Sequence, residues 1–596
     1  MSQRAAEPRA QAVSSTELIA AAARGAAHSI ELMPQPDHRL RLAMRDGVRL
    51  DTQVWLPERA ARAGVPAILV RTPYKESVLG FKRLGVLRYV QAGYALVIQM
   101  IRGIGDSEGA FSFNAPHERH DGYDTVEWVA AQPWCSGAVG MDGSSYLAMT
   151  AILAAVARPP HLRCIVPAVP SLDFFREPPY PGGMFCRQHT MRWAFLLQIE
   201  SMAELTGGFM GILPLLGDPS GLQRMLSRPA LDAADGLLKG DFLAHYRDVL
   251  AHPSFDDWWQ ARTASEKELA GIDIPTLVVS GNFDLCVGPL TLWRGIEARK
   301  VGADQRQLLI GPWDHGQCYS GGGTSLGPYE LGEDAVLDLG AMRIAFFDRH
   351  LKRQGSGPAL HGRASVFITG ANVWRGFDAF PPREVSSLSL YLSSQGRANS
   401  ARGDGRLLHD APTGPQPADN FVDDPGLPHI STMLEATGRP YDLRERERDH
   451  ETLVYDSGPL TEPLTVLGEG AVELFTSADV PDADLVLLLG EHRADGSTIQ
   501  LAAGQLRLRY REGFDAERVL APGEPVRVQI PLTYVGHQVP AGSCLRLFVS
   551  GSNFPFADPN PHSGEPVASA VTMRRALQTV LHDAAHPSRL ILPVLP

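Results

Sequence analysis

Ala138-Val139-Gly140-Met141-Asp142-Gly143-Ser144-Ser145-Tyr146-Leu147 holds the end of an apolar strand, a glycine turn, a serine and the start of an Ala/Leu-rich helix running to about Ala157. A nucleophile elbow needs this arrangement. Gly143 lets the backbone turn without a Cβ clash. Ser145 then stands at a helix N-terminus, where free N–H groups and the helix dipole favour developing negative charge. The second glycine usual in such elbows is absent, and Leu147 takes its place. A serine here can equally be a plain helix cap, so the flanking sequence must decide.

Continuous apolar strands are expected at Pro66–Val70, Tyr94–Gln99, Thr276–Ser280 and Gln307–Ile310, with a helix over about Glu118–Ala131. Apolar strands alternating with helices indicate a parallel sheet covered on both faces. An alternating pair, His38–Met44 and Arg49–Leu56, flanks an Asp46-Gly47 hairpin turn. Residues 172–255 lack strand character, and Met191–Leu205 and Asp235–Leu250 read as helices of an inserted cap. After about Gly355, short alternating strands such as Ala364–Ile368, Ala471–Thr476 and Leu545–Ser550 lie between Gly/Pro/Asp turns, the pattern of a β-sandwich. The expected divisions are an N-terminal extension (1–37), a first core part (38–171), the cap (172–255), a second core part (256–355) and a β-sandwich (356–596). Within the extension, Leu18–Ala23 reads as a short amphipathic helix. The run Arg444-Glu445-Arg446-Glu447-Arg448-Asp449 reads as a solvated loop.

Composition narrows the function. The 596 residues are 44% hydrophobic and 20% charged, enough for about three to five domains. The net charge of −12 argues against a nucleic-acid partner bound through a broadly basic surface. Six cysteines without CxxC spacing argue against a disulfide scaffold or zinc finger and fit a reducing cytoplasm. No apolar run approaches the ~20 residues of a membrane span. Gly103-x-Gly105-x-x-x-Gly109 is misspaced for a dinucleotide loop, and His117-Glu118-Arg119-His120 lacks the zinc-protease spacing. No cofactor or metal is called for.

Asp284 follows strand Thr276–Ser280, and His315 follows strand Gln307–Ile310. Parallel sheets place functional groups just past strand C-termini. The order Ser145, Asp284, His315 is that of α/β-hydrolases. Such a set would let the imidazole take the serine proton while the carboxylate orients it. The Tyr146 N–H would be one oxyanion donor, and Tyr74, in Arg71-Thr72-Pro73-Tyr74, could supply its phenol as another.

Those segments, together with Arg102-Gly103, Ser107-Glu108-Gly109, Ile310-Gly311-Pro312-Trp313-Asp314-His315, Gly370-Ala371-Asn372-Val373-Trp374-Arg375 and Ser550-Gly551-Ser552-Asn553-Phe554-Pro555, resemble the cocaine esterase / X-prolyl dipeptidyl peptidase family of serine hydrolases. The resemblance spans about residues 38–596. It implies an α/β-hydrolase core, a helical cap and a C-terminal jelly-roll-like β domain, hence an α/β plus all-β fold. It further implies a Ser145, Asp284, His315 triad, an oxyanion hole of Tyr74 and the Tyr146 amide, and Trp193 as a pocket wall. Relatives often self-associate, so a homo-oligomer is open.

Several positions depart from the family. Met100 replaces a common aspartate, Cys286 an aromatic residue and Pro179 a cap tryptophan. The segment Leu427-Pro428-His429-Ile430-Ser431-Thr432 matches the β-domain rim only loosely. Cys286 is read as a pocket-lining thiol. The expected activity is hydrolysis of carboxylic esters, or amides, of small or aromatic acyl groups through an acyl-enzyme. The alternatives are an X-Pro dipeptidyl peptidase, an acylase or an α-amino-acid ester hydrolase. The peptidase and the amino-acid ester hydrolase need acidic groups for the substrate amine, for which Asp173 and Glu177 are candidates. From another class, a non-catalytic binding protein would carry an inert triad.

Overall fold

The computed structural model describes residues 35–596 except 62, 75–86, 202–228, 285, 299–304 and 429–439. The helix expected at Leu18–Ala23 and most of the segment Leu427–Thr432 lie outside the described residues.

The first sheet has ten strands: β1 (His38–Ala43), β2 (Arg49–Trp55), β3 (Val65–Thr72), β4 (Ala95–Met100), β5 (Cys135–Ser144), β6 (Leu162–Ala168), β7 (Thr276–Gly281), β8 (Arg306–Gly311), β11 (Ala364–Ile368) and β12 (Val373–Phe377). Between β8 and β11 a two-stranded ribbon intervenes, β9 (Ser325–Leu326) with β10 (Tyr329–Glu330). The spatial order is β1-β2-β4-β3-β5-β6-β7-β8-β11-β12, and the run from β4 to β11 is parallel. Neighbouring β3 residues serve two different cores. Ile68 and Val70 join the core that contains cap residues Leu197 and Phe242. Ala67 and Leu69 join the one containing Val126, Ile152 and Trp293. That is the two-faced burial a parallel sheet requires.

The sheet also crosses the division expected at 356. Strand Ala364–Ile368, expected to open the β-sandwich, pairs in parallel with β8, and β12 returns antiparallel beside it. All five β11 residues are buried, which an edge of a sandwich would not give.

Among the described cap residues there are helices Arg187–Ser201 and Gly240–Ala251, a 3₁₀ turn Ala230–Ala234, and no strand. The first helix starts four residues earlier than expected. The second starts at Gly240, because Gly236 and Gly240 adopt positive φ ahead of it.

The C-terminal region is an eleven-stranded, mostly antiparallel sheet folded round one apolar core that includes Leu474, Leu487, Leu547 and Val549. It grips both other parts. Arg187 of the cap donates to the buried Asp558 carboxylate at 2.9 and 2.5 Å. The Gly536 N–H donates to Asn282 Oδ1 at 2.7 Å, tying strand Val526–Val539 to the loop after β7. The mixed-charge run expected to be solvated is partly turned inward. Arg446 is buried, and Glu447 accepts from Arg546 and Thr498. Among the described residues, no helix is long and apolar enough to cross a membrane.

Candidate active site

Strand β5 ends at Ser144 and the next helix begins at Tyr146, leaving Ser145 alone in the turn at φ 60°, ψ −126°. Such a backbone costs energy in an L-residue and persists only where the surroundings enforce it. Two contacts do so. The Ser145 N–H donates to Ala168 O at the end of β6, 2.9 Å away. A Cβ on Gly143 would lie 2.3 Å from the Leu147 carbonyl carbon, so only glycine fits beside the returning chain. The absent second glycine is thus no obstacle, since Leu147 turns its side chain into the core. Below the elbow, Arg343 pairs with Asp142 at 3.2 Å and donates to Ser144 Oγ at 3.1 Å, and Tyr89 donates to Asp142 at 2.9 Å.

The loops after β7 and β8 are bound to each other. Asn282 N–H donates to Gly311 O at 2.8 Å, and Phe283 N–H to Trp313 O at 3.0 Å. Their next residues therefore meet: His315 Nδ1 lies 2.8 Å from Asp284 Oδ2. The Asp284 side chain is 0% exposed and that of His315 21%. An ionised carboxylate only accepts, so Nδ1 carries the proton and Nε2 keeps its lone pair. Asp284 Oδ1 is held by the Cys286 N–H at 2.5 Å. Four residues past His315, Tyr319 lies edge-on to the imidazole at 5.7 Å. Its phenol is pushed well above its usual range by burial and by the Tyr74 phenol, and it hydrogen-bonds the Ser145 hydroxyl. Sequence reading missed Tyr319. Its only signal was position, one turn beyond a candidate base.

Tyr74 closes the β3 loop, its N–H donating to Thr72 Oγ1 at 3.0 Å. From the cap, Trp193 Nε1 donates to Tyr74 Oη at 3.4 Å. The Trp193 indole stacks on Tyr146 at 5.9 Å and meets Phe113 at 3.6 Å between centroids. Trp193, Tyr74 and Tyr146 are thus brought together as expected. Phe113 and Phe174, 5.3 Å apart, extend the aromatic wall and were not foreseen.

The chain matches two family models: the X-Pro dipeptidyl-peptidase (S15 family) over residues 46–317, and the X-Pro dipeptidyl-peptidase C-terminal non-catalytic domain over 353–591. It is 32% identical to the cocaine esterase of Rhodococcus sp. (strain MB1 Bresler) over 573 residues, 93% of this chain and 97% of that one. The chain belongs to the cocaine esterase / X-Pro dipeptidyl-peptidase family. Two solved structures superpose at 25% identity. One is an aminopeptidase from a marine sediment Thaumarchaeota archaeon, with TM-score 0.81 and coverage of 95% of this chain and 98% of that one. The other is an α-amino acid ester hydrolase, with TM-score 0.78 and coverage of 94% and 96%. The chain is therefore a hydrolase of the serine class.

Within this family frame, the departures find local explanations. Arg102, which Met100 leaves without the common aspartate, pairs instead with Asp121 at 2.7 Å and Asp46 at 2.6 Å. Cys286 is buried, with Sγ 3.3 Å from Ser171 Oγ and 3.9 Å from His315 Nδ1. Burial pushes its thiol well up, so the thiol is neutral and a poor nucleophile. Neither candidate for a substrate amine is open. Asp173 pairs with Arg176 at 3.3 Å and accepts the N–H groups of Phe175 and Arg176. Glu177 is buried and accepts the Leu172 N–H at 2.8 Å, and burial raises its carboxyl to about 8.

Two groups of potential metal donors occur among the described residues. His117, Glu118 and Asp121 form one. Arg71 lies 2.7 Å from Glu118, and Arg102 the same distance from Asp121, so two guanidinium groups oppose a cation there. Asp284, Cys286 and His315 form the other, with no such opposing charge in direct contact.

Proposed function

We propose that this protein hydrolyses carboxylic esters of small or aromatic acyl groups through an acyl-enzyme on Ser145. The observation that carries the reading is the 2.8 Å contact between Asp284 and His315 Nδ1, which leaves Nε2 as the base. His315 takes the Ser145 proton as the hydroxyl attacks the ester carbonyl. It returns that proton to the leaving alcohol and then activates water for deacylation. Asp284 orients the ring and stabilises its cation. The Tyr146 N–H and the Tyr74 phenol receive the oxyanion, each worth about 3–4 kcal/mol of barrier. The wall of Trp193, Phe113 and Phe174 faces this hole with apolar surface suited to an acyl group. Ester rather than aminopeptidase chemistry is favoured because Asp173 is paired with Arg176, and Glu177, buried and raised to about 8, carries no charge for a substrate amine at neutral pH. The partner is a small molecule, and six free thiols support a reducing compartment, the cytoplasm.

A fluorophosphonate probe tests the mechanism: wild type labels and Ser145→Ala does not. Equal labelling of both would remove Ser145 from the role. A panel of p-nitrophenyl esters against X-Pro-p-nitroanilides tests the substrate class. Faster turnover of the anilides would replace the ester reading with the peptidase one.

A further inference from the structure

Among the described residues, Cys286 brings a soft ligand into contact with His315, with Sγ 3.9 Å from Nδ1. The atoms Asp284 Oδ, Cys286 Sγ and His315 Nδ1 all lie within 4.8 Å of one another. Nδ1 is 2.8 Å from Asp284 Oδ2 and 3.9 Å from Sγ. A tetrahedral zinc ion, with bonds of about 2.0–2.3 Å, holds its donors roughly 3.3–3.6 Å apart. Nδ1 and the carboxylate need to part by about half an ångström, Sγ and Nδ1 to close by about as much, and Sγ lies no more than 4.8 Å from the carboxylate oxygen.

We propose that Asp284, Cys286 and His315 form a binding site for a soft divalent cation of the Zn2+ type, whose occupancy switches hydrolysis off. The second half rests on the catalytic reading of His315 given above. The partly exposed imidazole gives the ion its approach, while the other two ligands are buried. Behind Cys286, Ser171 Oγ lies 3.3 Å from the thiol, and Glu177 lies beyond it. Glu177 Oε2 is buried without a hydrogen-bond partner, a polar group well placed to support a cation from the outer shell.

Binding exchanges protons for metal. The thiol proton leaves to solvent, the ring proton moves through solvent from Nδ1 to Nε2, and Asp284 keeps its charge. One Zn2+ is then balanced by one carboxylate and one thiolate, which suits a buried place. A neutral imidazole bound to a cation through Nδ1 carries its proton on Nε2, so it has no lone pair left for the Ser145 hydroxyl and can no longer donate to Asp284. Ser145 thereby loses its proton acceptor. No oxidant or reductant is involved.

The test uses the full chain and p-nitrophenyl butyrate, each variant normalised to its own metal-free rate. Zn2+ should inhibit wild type reversibly, with a chelator restoring activity. Cys286→Ala should raise the half-inhibitory concentration by more than about 100-fold, beyond the loss typical of an outer-shell partner. Equal inhibition of wild type and Cys286→Ala would overturn the proposal. Co2+ supplies a readout independent of turnover. A thiolate-to-cobalt charge-transfer band should appear in wild type and in Ser145→Ala, and be lost in Cys286→Ala and in His315→Ala. Ester turnover without such a band would sink the metal site and leave the hydrolase reading standing. The band without any ester turnover would do the reverse.

Discussion

Among the described residues, two sets of serine, aspartate and histidine run in the chain order Ser, Asp, His. One is Ser145, Asp284 and His315. The other is Ser394, Asp419 and His582, deep in the β domain. In the second, Ser394 Oγ donates straight to Asp419 Oδ2 at 2.7 Å, and His582 Nε2 meets both, at 3.1 and 2.9 Å. Its Nδ1 lies 2.9 Å from Gln416 Oε1, and Tyr455 and the Ala398 N–H complete the shell of Asp419. All three residues are buried. Serine and aspartate share one ring nitrogen there, so no proton can pass from hydroxyl to carboxylate through the ring. At the Asp284 site the carboxylate meets Nδ1, the imidazole is partly exposed, and Ser145 sits on a strained turn. Residue types and chain order are common to both sets, and geometry separates the proposed relay from the brace.

The sharpest way to break this contrast is to remove each serine's or aspartate's role in turn. Ser145→Ala should lower kcat/KM by about 10⁴-fold or more while leaving the thermal midpoint nearly unchanged. A smaller loss in ester assays would mean another nucleophile acts. Asp419→Ala should do the opposite. It strands the donors of Ser394, Tyr455 and Ala398, each worth about 1–3 kcal/mol, so denaturant titration should show a loss of several kcal/mol. The turnover of the remaining folded enzyme, counted by fluorophosphonate labelling, should hold. Loss of turnover per labelled site would deny that the cluster is only structural.

Tyr74→Phe sharpens the catalytic side. It should cost roughly 10²-fold in kcat with little change in KM, because in the proposed mechanism the phenol acts on the transition state. A change confined to KM would make Tyr74 a pocket wall instead. The smallest expected effect concerns Glu177. Its native carboxyl is raised to about 8 by burial, above its unfolded value. The native state therefore holds its proton longer, and stability falls as pH rises from about 4.5 towards 8. Glu177→Gln should remove that slope and raise the thermal midpoint by a few degrees at pH 8.5, but not at pH 4. A scan showing equal shifts at both pH values would contradict it.

Asp419 behaves in the reverse sense. Burial opposes its charge, but bonds from His582, Ala398 N–H, Ser394 and Tyr455 win and hold its carboxyl below the usual range. Its contribution is complete above the unfolded value and fades only as pH falls through the native one.

The core sheet and the elbow were legible because they repeat local rules. Apolar runs with helices between them read directly as β3, β4, β5, β7 and β8, while β6 (Leu162–Ala168) went unread, and Gly143 before Ser145 read as a turn. Asp284 and His315 were legible from their places just after strands. What escaped reading was set by contacts distant in sequence. Tyr319 and Phe113 gain their places through folding of loops that carry no periodicity. The charge run at 444–449 turns inward because Arg546 and Thr498, about 50–100 positions on, meet Glu447. Strand β11 looks like any short sandwich strand, and only its pairing with β8 assigns it to the first sheet.

The bond from Gly536 to Asn282 makes the β domain a shareholder in chemistry it never touches. Asn282 stands two residues before Asp284, the carboxylate of the proposed triad, and its side chain is anchored outside the core. Partial opening of the β domain would let that loop drift while the ten-stranded sheet stayed intact. Warming the enzyme should therefore silence it before its core melts, a fuse that fails early and, if the β domain recloses on cooling, resets. By the same bond, a fragment cut off after β12 would keep Ser145, Asp284 and His315 yet lose the anchor that Gly536 gives the loop before Asp284.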